Sequence, residues 1–136
     1  IGCNNFALYN EEDFFGVTCH FMESTVDSGK IISTKKFPIY PPDNVRTLLL
    51  RTYDHQLELF YEIVSKILNG EALNPSGERW GREPYTREEF NQLSKIMLNM
   101  DTQEIKRRVR ATNFGKWKPY LKIGDLRFDY KDQDNE

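Results

Sequence analysis

The sequence G-V-T-C-H-F-M-E-S-T-V-D-S-G-K-I-I, residues 16–32, predicts a strand, a loop and the start of a second strand. Apolar and other side chains alternate over residues 17–22, so one face of the first strand is expected to be buried while Thr18 and His20 point together. Small polar residues and Gly29 then interrupt the alternation, which is typical of a loop that needs positive φ or close backbone approach. The β-branched residues after this glycine indicate the second strand.

Asp27 stands inside the loop, two residues before Gly29. A carboxylate on a tight loop at the end of a strand is a common way to place a general base, because the scaffold fixes the side chain and leaves it open to a ligand. The alternative is an aspartate that only bonds neighbouring backbone amides in an Asx turn. Spacing alone favours the Asx turn.

The composition indicates one soluble, globular domain. The chain has 136 residues, of which 38% are hydrophobic and 13% aromatic, and its net charge of −2 gives no basic excess that would indicate nucleic acid. No apolar run is long enough to predict a membrane span, and the N-terminus lacks the pattern of a signal peptide. Cys3 and Cys19 match no zinc or redox spacing, so a cytoplasmic location is expected. Because the first residue is Ile1 and not Met, we expect the sequence to be part of a longer chain.

Residues 44–69 predict a long amphipathic helix with Asp43 or Asn44 as its N-cap and Gly70 at its end. Its apolar positions recur every three to four residues and are expected to form one wide buried stripe on a sheet. The stripe consists of Val45, Leu48, Leu49, Thr52, Tyr53, Phe60, Ile63, Val64, Ile67 and Leu68. His55 lies off the stripe and is expected to be solvated.

Residues 71–85 predict a loop, because proline and glycine recur within a short span. The loop carries Arg79, Trp80, Arg82 and Tyr85, whose guanidinium and aromatic groups can bind a phosphate or stack on a base. The alternative is that Trp80 simply pins the loop to the domain.

Two capping patterns predict two further helices. Thr86 and Glu89 form a capping box, and the helix that follows is expected to bury apolar side chains as far as Met100. The pattern repeats over 101–104 and opens a helix through about Ala111. On that helix a cluster of positive side chains predicts a mostly solvated face, with Arg110 the one expected to have another role. The cluster consists of Lys106, Arg107, Arg108 and Arg110.

The C-terminal part predicts a β-hairpin. Residues 118–123 and 126–130 are the two strands, and Gly124-Asp125 is the two-residue turn. Residues 131–136 form a polar acidic tail.

The run G-V-T-C-H-F-M, followed by V-D-S-G-K-I-I, resembles the signature of the folate-dependent formyltransferases. That family includes glycinamide ribonucleotide, methionyl-tRNA and nucleotide-sugar N-formyltransferases. The segments F-A-L-Y-N-E-E-D-F-F before the run and V-R-A-T-N-F near the C-terminus resemble the family as well.

The resemblance implies an α/β fold, the second half of a Rossmann-type formyltransferase domain with a long helix, two shorter helices and a C-terminal β-hairpin. Residues 1–42 would form a partial sheet with the aspartate loop, and residues 43–130 the helical segment and hairpin of the same domain.

The activity implied by the resemblance is formyl transfer from N10-formyltetrahydrofolate to an amine, in the favoured hypothesis that of a nucleotide-linked amino sugar. By motif match Asp27 is the catalytic aspartate that accepts or relays the proton of the attacking amine, and His20 braces its loop. The loop residues expected to bind the pterin ring are Met22, Glu23, Ser24, Thr25 and Val26. The residues expected to bind the substrate are Arg79, Trp80, Arg82 and Tyr85.

The asparagine and histidine that share the chemistry in the family occur in an N-x-H-x-S run, which does not precede Gly16 here. Catalysis therefore requires an upstream segment, and these residues alone are expected to be inactive. The alternatives are a methionyl-tRNA-type formyltransferase fragment and a non-catalytic binding or scaffolding module derived from a formyltransferase. The expected partners are a small-molecule substrate and, in a homodimer, a second copy; nucleic acid, metal and membrane are not expected.

Overall fold

The computed structural model describes residues 2–131 and has an α/β architecture. The elements in chain order are α1 (Cys3–Tyr9), β1 (Phe14–His20), β2 (Ile31–Pro38), α2 (Val45–Leu68), α3 (Arg87–Ser94), β3 (Lys95–Ile96), α4 (Thr102–Thr112), β4 (Tyr120–Ile123) and β5 (Leu126–Asp129). The strands form an antiparallel pair, β1-β2, and a three-stranded sheet in the order β3-β4-β5. The division into parts 1–42 and 43–130 stays a prediction, and 132–136 of the expected tail lie outside the described residues.

Strands β1 and β2 form a hairpin whose register runs from Phe14 opposite Pro38 to His20 opposite Ile31. The pairing shifts by one residue immediately before His20, and the first strand ends there. The predicted strand through Met22 is therefore two residues too long. An irregularity of this kind bends the strand and redirects its last side chain, which is how His20 comes to face the following loop.

Helix α2 packs on this hairpin through a narrow strip. Its N-cap is Asn44, which forms a capping box with Thr47, and Gly70 follows its end with a φ of 71°, so both predicted ends are confirmed. The predicted stripe is wrong in part, because a two-stranded hairpin covers only a small sector of the helix. The buried side chains are Val45, Leu48, Leu59 and Ile63. The expected core residues that are more than half exposed are Tyr53, Phe60, Ile67 and Leu68.

His55 is not the solvated residue that the helical periodicity predicts. Its ring stacks on Phe37 of β2 with the ring centroids 4.4 Å apart, and its Nδ1 lies 3.1 Å from Glu58 Oε2. An imidazole has an apolar face as well as polar nitrogens. His55 can therefore pack α2 against the hairpin, which the exposed residues of the predicted stripe do not do.

The connection from β2 to α2 is fixed by an ion pair between the buried Asp43 and the partly exposed Arg51. Arg51 donates to both carboxylate oxygens of Asp43 at 2.6 and 2.9 Å, and the backbone N–H of Tyr40 donates to the same carboxylate at 2.7 Å. Chiefly because of the Arg51 guanidinium, the pKa of Asp43 is lowered to about 2. Asp43 is thus an anchor for α2 and not its N-cap.

Helix α3 has the predicted capping box of Thr86 and Glu89, but it ends at Ser94 and not near Met100. The chain then turns extended and pairs in parallel with β4. The reason lies in a distant side chain: Arg108 of α4 donates to the carbonyls of Gln92, Leu93 and Lys95 at 2.8, 3.1 and 3.0 Å. These carbonyls need partners where a helix stops, and the guanidinium provides them.

The positive side chains of α4 mostly bind within the fold, contrary to the predicted solvated face. Arg107 Nη2 donates to Tyr9 O at 2.8 Å, and Arg110 Nε donates to Asp43 O at 2.7 Å. Together with Arg108 they tie the helix to three neighbouring segments. Only Lys106 is exposed as expected. Arg110 does have a specific role, in that it joins α4 to the start of α2.

The predicted C-terminal hairpin is confirmed. Strands β4 and β5 pair antiparallel around Gly124-Asp125, and Gly124 has a φ of 58°. A two-residue turn with positive φ at its first position matches the twist of the flanking strands. All of β5 is exposed.

Candidate functional site

The segment between β1 and β2, residues 21–30, is called here the aspartate loop. A backbone bond from Phe21 N–H to Lys30 O of 3.0 Å closes it at its base, and Ser28 Oγ donates to Thr25 O at 2.8 Å across its tip. Asp27 adopts a φ of 50°, a left-handed conformation that aspartate tolerates better than most residues. The loop is therefore a short, internally bonded turn that fixes the backbone of Asp27.

Gly29 is required by the way the loop closes. A Cβ atom at this position would lie 1.7 Å from Phe21 O, 2.7 Å from Phe21 C and 3.1 Å from His20 Nδ1. Any side chain would therefore collide with backbone, which cannot rotate away as a side chain can. Of the two alternatives predicted for this loop, positive φ or close backbone approach, Gly29 shows close approach.

His20 and Asp27 lie next to each other, as predicted. The distance from His20 Nε2 to Asp27 Oδ1 is 3.8 Å, and the two side chains are 24% and 46% exposed. His20 Nδ1 lies 2.8 Å from Phe21 O. Because a carbonyl oxygen only accepts hydrogen bonds, Nδ1 must carry a proton, and in the neutral ring Nε2 then presents its lone pair toward the aspartate.

This arrangement decides what the pair can do. At 3.8 Å, His20 Nε2 and Asp27 Oδ1 are beyond hydrogen-bonding distance. A proton at Nε2 makes the ring an imidazolium, which attracts the Asp27 carboxylate electrostatically. Asp27 remains half exposed, so the carboxylate is open to a ligand. The Asx-turn alternative is not favoured, since among the described residues the carboxylate faces an imidazole and not a backbone amide.

Trp80 joins the 71–85 loop to the aspartate loop. Its Nε1–H donates to Gly29 O at 2.8 Å, and its ring meets the ring of His20 edge to face, with centroids 5.0 Å apart and planes at 84°. Trp80 thus holds both the glycine and the histidine. The alternative stated from the sequence, that this side chain pins its loop to the domain, describes these contacts.

The other three residues expected to bind substrate make different contacts from those of Trp80. Arg79 is exposed. Arg82 Cζ lies 3.2 Å from the ring centroid of Tyr85. Tyr85 in turn stacks on Phe6 with ring centroids 3.7 Å apart. Arg82 and Tyr85 therefore belong to a stack on helix α1, and substrate binding by the four residues stays a prediction.

Ser76 and Glu78 were missed by the sequence analysis. Ser76 N–H donates to Ile31 O at 2.8 Å, and Thr34 Oγ1 donates to Glu78 Oε1 at 3.1 Å. Both contacts lay the 71–85 loop along the beginning of β2, next to the aspartate loop. A serine and a glutamate in a polar loop carry no pattern that would have distinguished them.

The five residues expected to bind the pterin ring, Met22, Glu23, Ser24, Thr25 and Val26, are all exposed. Met22 and Val26 are 93% and 72% exposed. The loop therefore offers apolar contact and backbone groups to a ligand beside Asp27.

Two further observations concern ions and membranes. Over residues 2–131, no group of three or more histidine, cysteine or acidic side chains is placed to hold a metal ion. Among the same residues, no helix is both long and apolar enough to span a bilayer.

The fold is shared with solved formyltransferases. A sugar N-formyltransferase from a Shewanella species superposes with a TM-score of 0.77 at 20% identity, covering 94% of this chain and 53% of that one. An N-formyltransferase from Helicobacter canadensis, solved with folinic acid and dTDP-3-aminofucose, gives a TM-score of 0.67 at 24% identity over 92% and 46% of the two chains. The α/β fold of part of a formyltransferase is thereby confirmed.

Sequence comparison leads to the same family. No protein-family model matches the chain. Methionyl-tRNA formyltransferase from Dictyoglomus thermophilum is 30% identical over 105 residues, which are 77% of this chain and 33% of the relative. The enzyme from Azobacteroides pseudotrichonymphae is 28% identical over 137 residues, 93% and 41% of the two chains. The resemblance to the folate-dependent formyltransferases is thus supported by sequence and by fold, and the chain spans less than half the length of these relatives.

Proposed function

We propose that this chain supplies the proton-handling half of a formyltransferase site, which transfers a formyl group from N10-formyltetrahydrofolate to the amine of a nucleotide-linked amino sugar. The observation that carries the proposal is the pair His20 and Asp27, 3.8 Å apart on a loop that is closed by Gly29 and held by Trp80. A carboxylate with a fixed backbone and an open side chain is suited to accept a proton from a bound substrate.

The proposed reaction consists of attack by the acceptor amine, proton transfer to Asp27 and release of N10. The acceptor amine attacks the formyl carbon, a C–N bond forms, and negative charge develops on the formyl oxygen. The attacking nitrogen gives a proton to the Asp27 carboxylate. The formyl C=O bond then re-forms and the bond from the formyl carbon to N10 breaks, while N10 takes up the proton that Asp27 releases, which restores the carboxylate. His20, whose Nε2 lies 3.8 Å from Asp27 Oδ1, would accept a hydrogen bond from the protonated carboxyl group once the two side chains move closer.

The chain holds only part of the groups this reaction needs. In the proposal, donors that stabilise the developing oxyanion come from the family's asparagine and second histidine, which do not occur in a matching run of this sequence. The exposed residues Met22 and Val26 would contact the pterin ring beside Asp27. Activity is therefore a property of the full-length protein, while donor binding at the aspartate loop is a property of these residues.

The acceptor is assigned from the fold neighbours. Two of them are named as a sugar N-formyltransferase and as an N-formyltransferase solved with folinic acid and a dTDP-linked amino sugar. The sequence relatives are methionyl-tRNA formyltransferases, which favours methionyl-tRNA as the second candidate acceptor. We place the sugar first because one fold neighbour was solved with both folinic acid and a dTDP-linked amino sugar. The coverage of this chain does not rank the two acceptors, since it exceeds nine-tenths for the sugar enzyme and for a methionyl-tRNA formyltransferase alike.

Calorimetric titration of the chain with folinic acid tests donor binding. We expect heat of binding for the unaltered chain and for Gly81→Ala, because a Cβ at Gly81 meets open space. Gly29→Ala is expected to weaken binding at least tenfold, since it displaces the aspartate loop. Equal affinity of the two variants, or no binding by the unaltered chain, would contradict donor binding at this loop and favour a non-catalytic binding or scaffolding module.

The acceptor is tested separately with the full-length protein. Formylation is measured on a dTDP-linked amino sugar and on methionyl-tRNA, under the same donor concentration. Product from the sugar supports the proposed acceptor. Product from methionyl-tRNA alone would replace it with the second candidate while leaving the role of Asp27 in place.

A further inference from the structure

A polar groove lies at the end of β2 that is away from the aspartate loop. It has a volume of about 690 Å³ and is formed where the first turn of α2, the end of α4 and the segment after α4 meet. Its lining consists of Asn44, Arg46, Val109, Arg110, Asn113, Phe114, Gly115 and Lys118. It shares no residue with the aspartate loop or with the 71–85 loop, so the proposed formyl transfer does not account for it.

The groove is lined by three positive side chains and no carboxylate. Arg46, Arg110 and Lys118 come from three different segments of the chain, yet all three line one groove. The chain as a whole has a net charge of −2, so this concentration of positive charge is local. Like charges brought together without a counter-ion repel one another, and a bound anion relieves that repulsion.

Arg46 makes no evident contribution to the stability of the fold. Its side chain is exposed and has no ion pair among the described residues. It also stands in the first turn of α2, where no acidic residue is present. A positive side chain is disfavoured at this end of a helix. A residue that breaks a local stability rule without a compensating contact is a candidate for a functional role.

The other two positive side chains, Arg110 and Lys118, are fixed by hydrogen bonds to neighbouring residues. Arg110 uses Nε and Nη2 to donate to the carbonyls of Asp43 and Tyr40 at 2.7 and 3.2 Å. Lys118 Nζ donates to Asn113 Oδ1 at 2.7 Å. A guanidinium has five N–H donors and an ammonium group three, so both groups keep donors for a ligand while their positions are fixed. Fixing a cation in advance lowers the entropy lost on binding.

We propose that this groove binds a phosphate or diphosphate group through Arg46, Arg110 and Lys118. Phosphate oxygens carry the multiple negative charges and the acceptor geometry that two guanidinium groups and an ammonium group match. The groove is larger than a single phosphate group, and Val109 and Phe114 in its lining provide apolar surface for the remainder of a phosphorylated small molecule.

Thermal unfolding of the chain in inorganic pyrophosphate tests the proposal, with sodium chloride at matched ionic strength as reference. Arg46→Glu reverses one charge of the groove. Lys66→Glu makes the same change in net charge in the last turn of the same helix, 20 residues away. We expect pyrophosphate to raise the unfolding temperature of the unaltered chain and of Lys66→Glu, and to bind Arg46→Glu at least tenfold more weakly.

The matched variants also separate binding from folding. Without pyrophosphate, Arg46→Glu is expected to be at least as stable as the unaltered chain, because a negative side chain is favourable in the first turn of a helix. Equal responses of the two variants to pyrophosphate, or an equal effect of chloride, would overturn the proposal.

The source of the phosphate is tested with ADP in place of pyrophosphate. Tighter binding of ADP that is lost in Arg46→Glu supports a nucleotide, whereas equal affinity supports the inorganic anion. Binding of a single-stranded oligonucleotide without binding of either small ligand would overturn the proposal in favour of a nucleic-acid surface.

Discussion

Replacing Gly29 by alanine is expected to open the aspartate loop. The added Cβ would lie 1.7 Å from Phe21 O, and such atoms essentially never approach closer than 3.0 Å. The two backbone segments must therefore separate by at least 1.3 Å, the difference between these distances. That movement breaks the bond from Trp80 Nε1 to Gly29 O, which is 2.8 Å long, and strains the one from Phe21 N–H to Lys30 O, which is 3.0 Å.

The size of the effect follows from these contacts. Two hydrogen bonds at about 1 kcal/mol each and an overpacking penalty of about 1–3 kcal/mol are offset by about 0.4–1 kcal/mol from the lower entropy of the unfolded alanine chain. We expect Gly29→Ala to lower the free energy of unfolding by about 2–5 kcal/mol, measured by urea denaturation. The control is Gly81→Ala, which adds the same methyl group in open space.

A second readout locates the change. Amide resonances of residues 20–31 and the indole N–H of Trp80 are expected to shift in Gly29→Ala, while those of α4 stay in place. If Gly29→Ala and Gly81→Ala unfold at the same urea concentration and leave the Trp80 signal unmoved, the described loop geometry is wrong.

Three further predictions concern other contacts. Trp80→Phe keeps an aromatic ring but loses the indole N–H, and is expected to cost about 1 kcal/mol of stability in urea denaturation; unchanged stability with weakened sugar-nucleotide binding would instead make this side chain a substrate contact. The Asp43 carboxylate has its pKa lowered to about 2 by Arg51, so about 2 kcal/mol of stability is present above pH 4 and is lost as the pH falls from 4 to 2. Asp43→Asn should flatten this pH dependence of stability, and an unaltered slope in urea titrations would refute the role of Asp43. Arg108→Lys loses the planar set of donors at the end of α3 and is expected to lower the free energy of unfolding by about 2–3 kcal/mol. The exposed control Lys106→Ala is expected to lower it by less than about 0.5 kcal/mol, and equal losses in thermal melts would contradict the role assigned to the guanidinium.

Local signals in the sequence sufficed where the cause of a structure lies nearby. The capping box at Thr86, the glycine after α2 and the two-residue turn of the C-terminal hairpin depend on residues within four positions of one another. The contact of His20 with the aspartate loop was expected from the family resemblance, and His20 and Asp27 belong to one β-hairpin. Each of these features could be predicted because no distant residue decides it.

The errors have distant causes. Helix α3 stops early because Arg108, 14 residues beyond its last residue, binds its final carbonyls. The buried strip of α2 is narrow because only two strands lie beneath it, which periodicity cannot reveal. Trp80 reaches Gly29 across 51 residues, so its part in the candidate site was stated only as an alternative.

The most direct test of the proposed function is formyl transfer by the full-length protein carrying Asp27→Asn. The amide is nearly identical in shape but cannot accept the proton of the attacking amine, so we expect kcat to fall at least 100-fold while folinic acid still binds. Asp54→Asn, an exposed carboxylate of α2, is the control and should retain full activity. Turnover by Asp27→Asn equal to that of Asp54→Asn would contradict the central claim that Asp27 handles the proton.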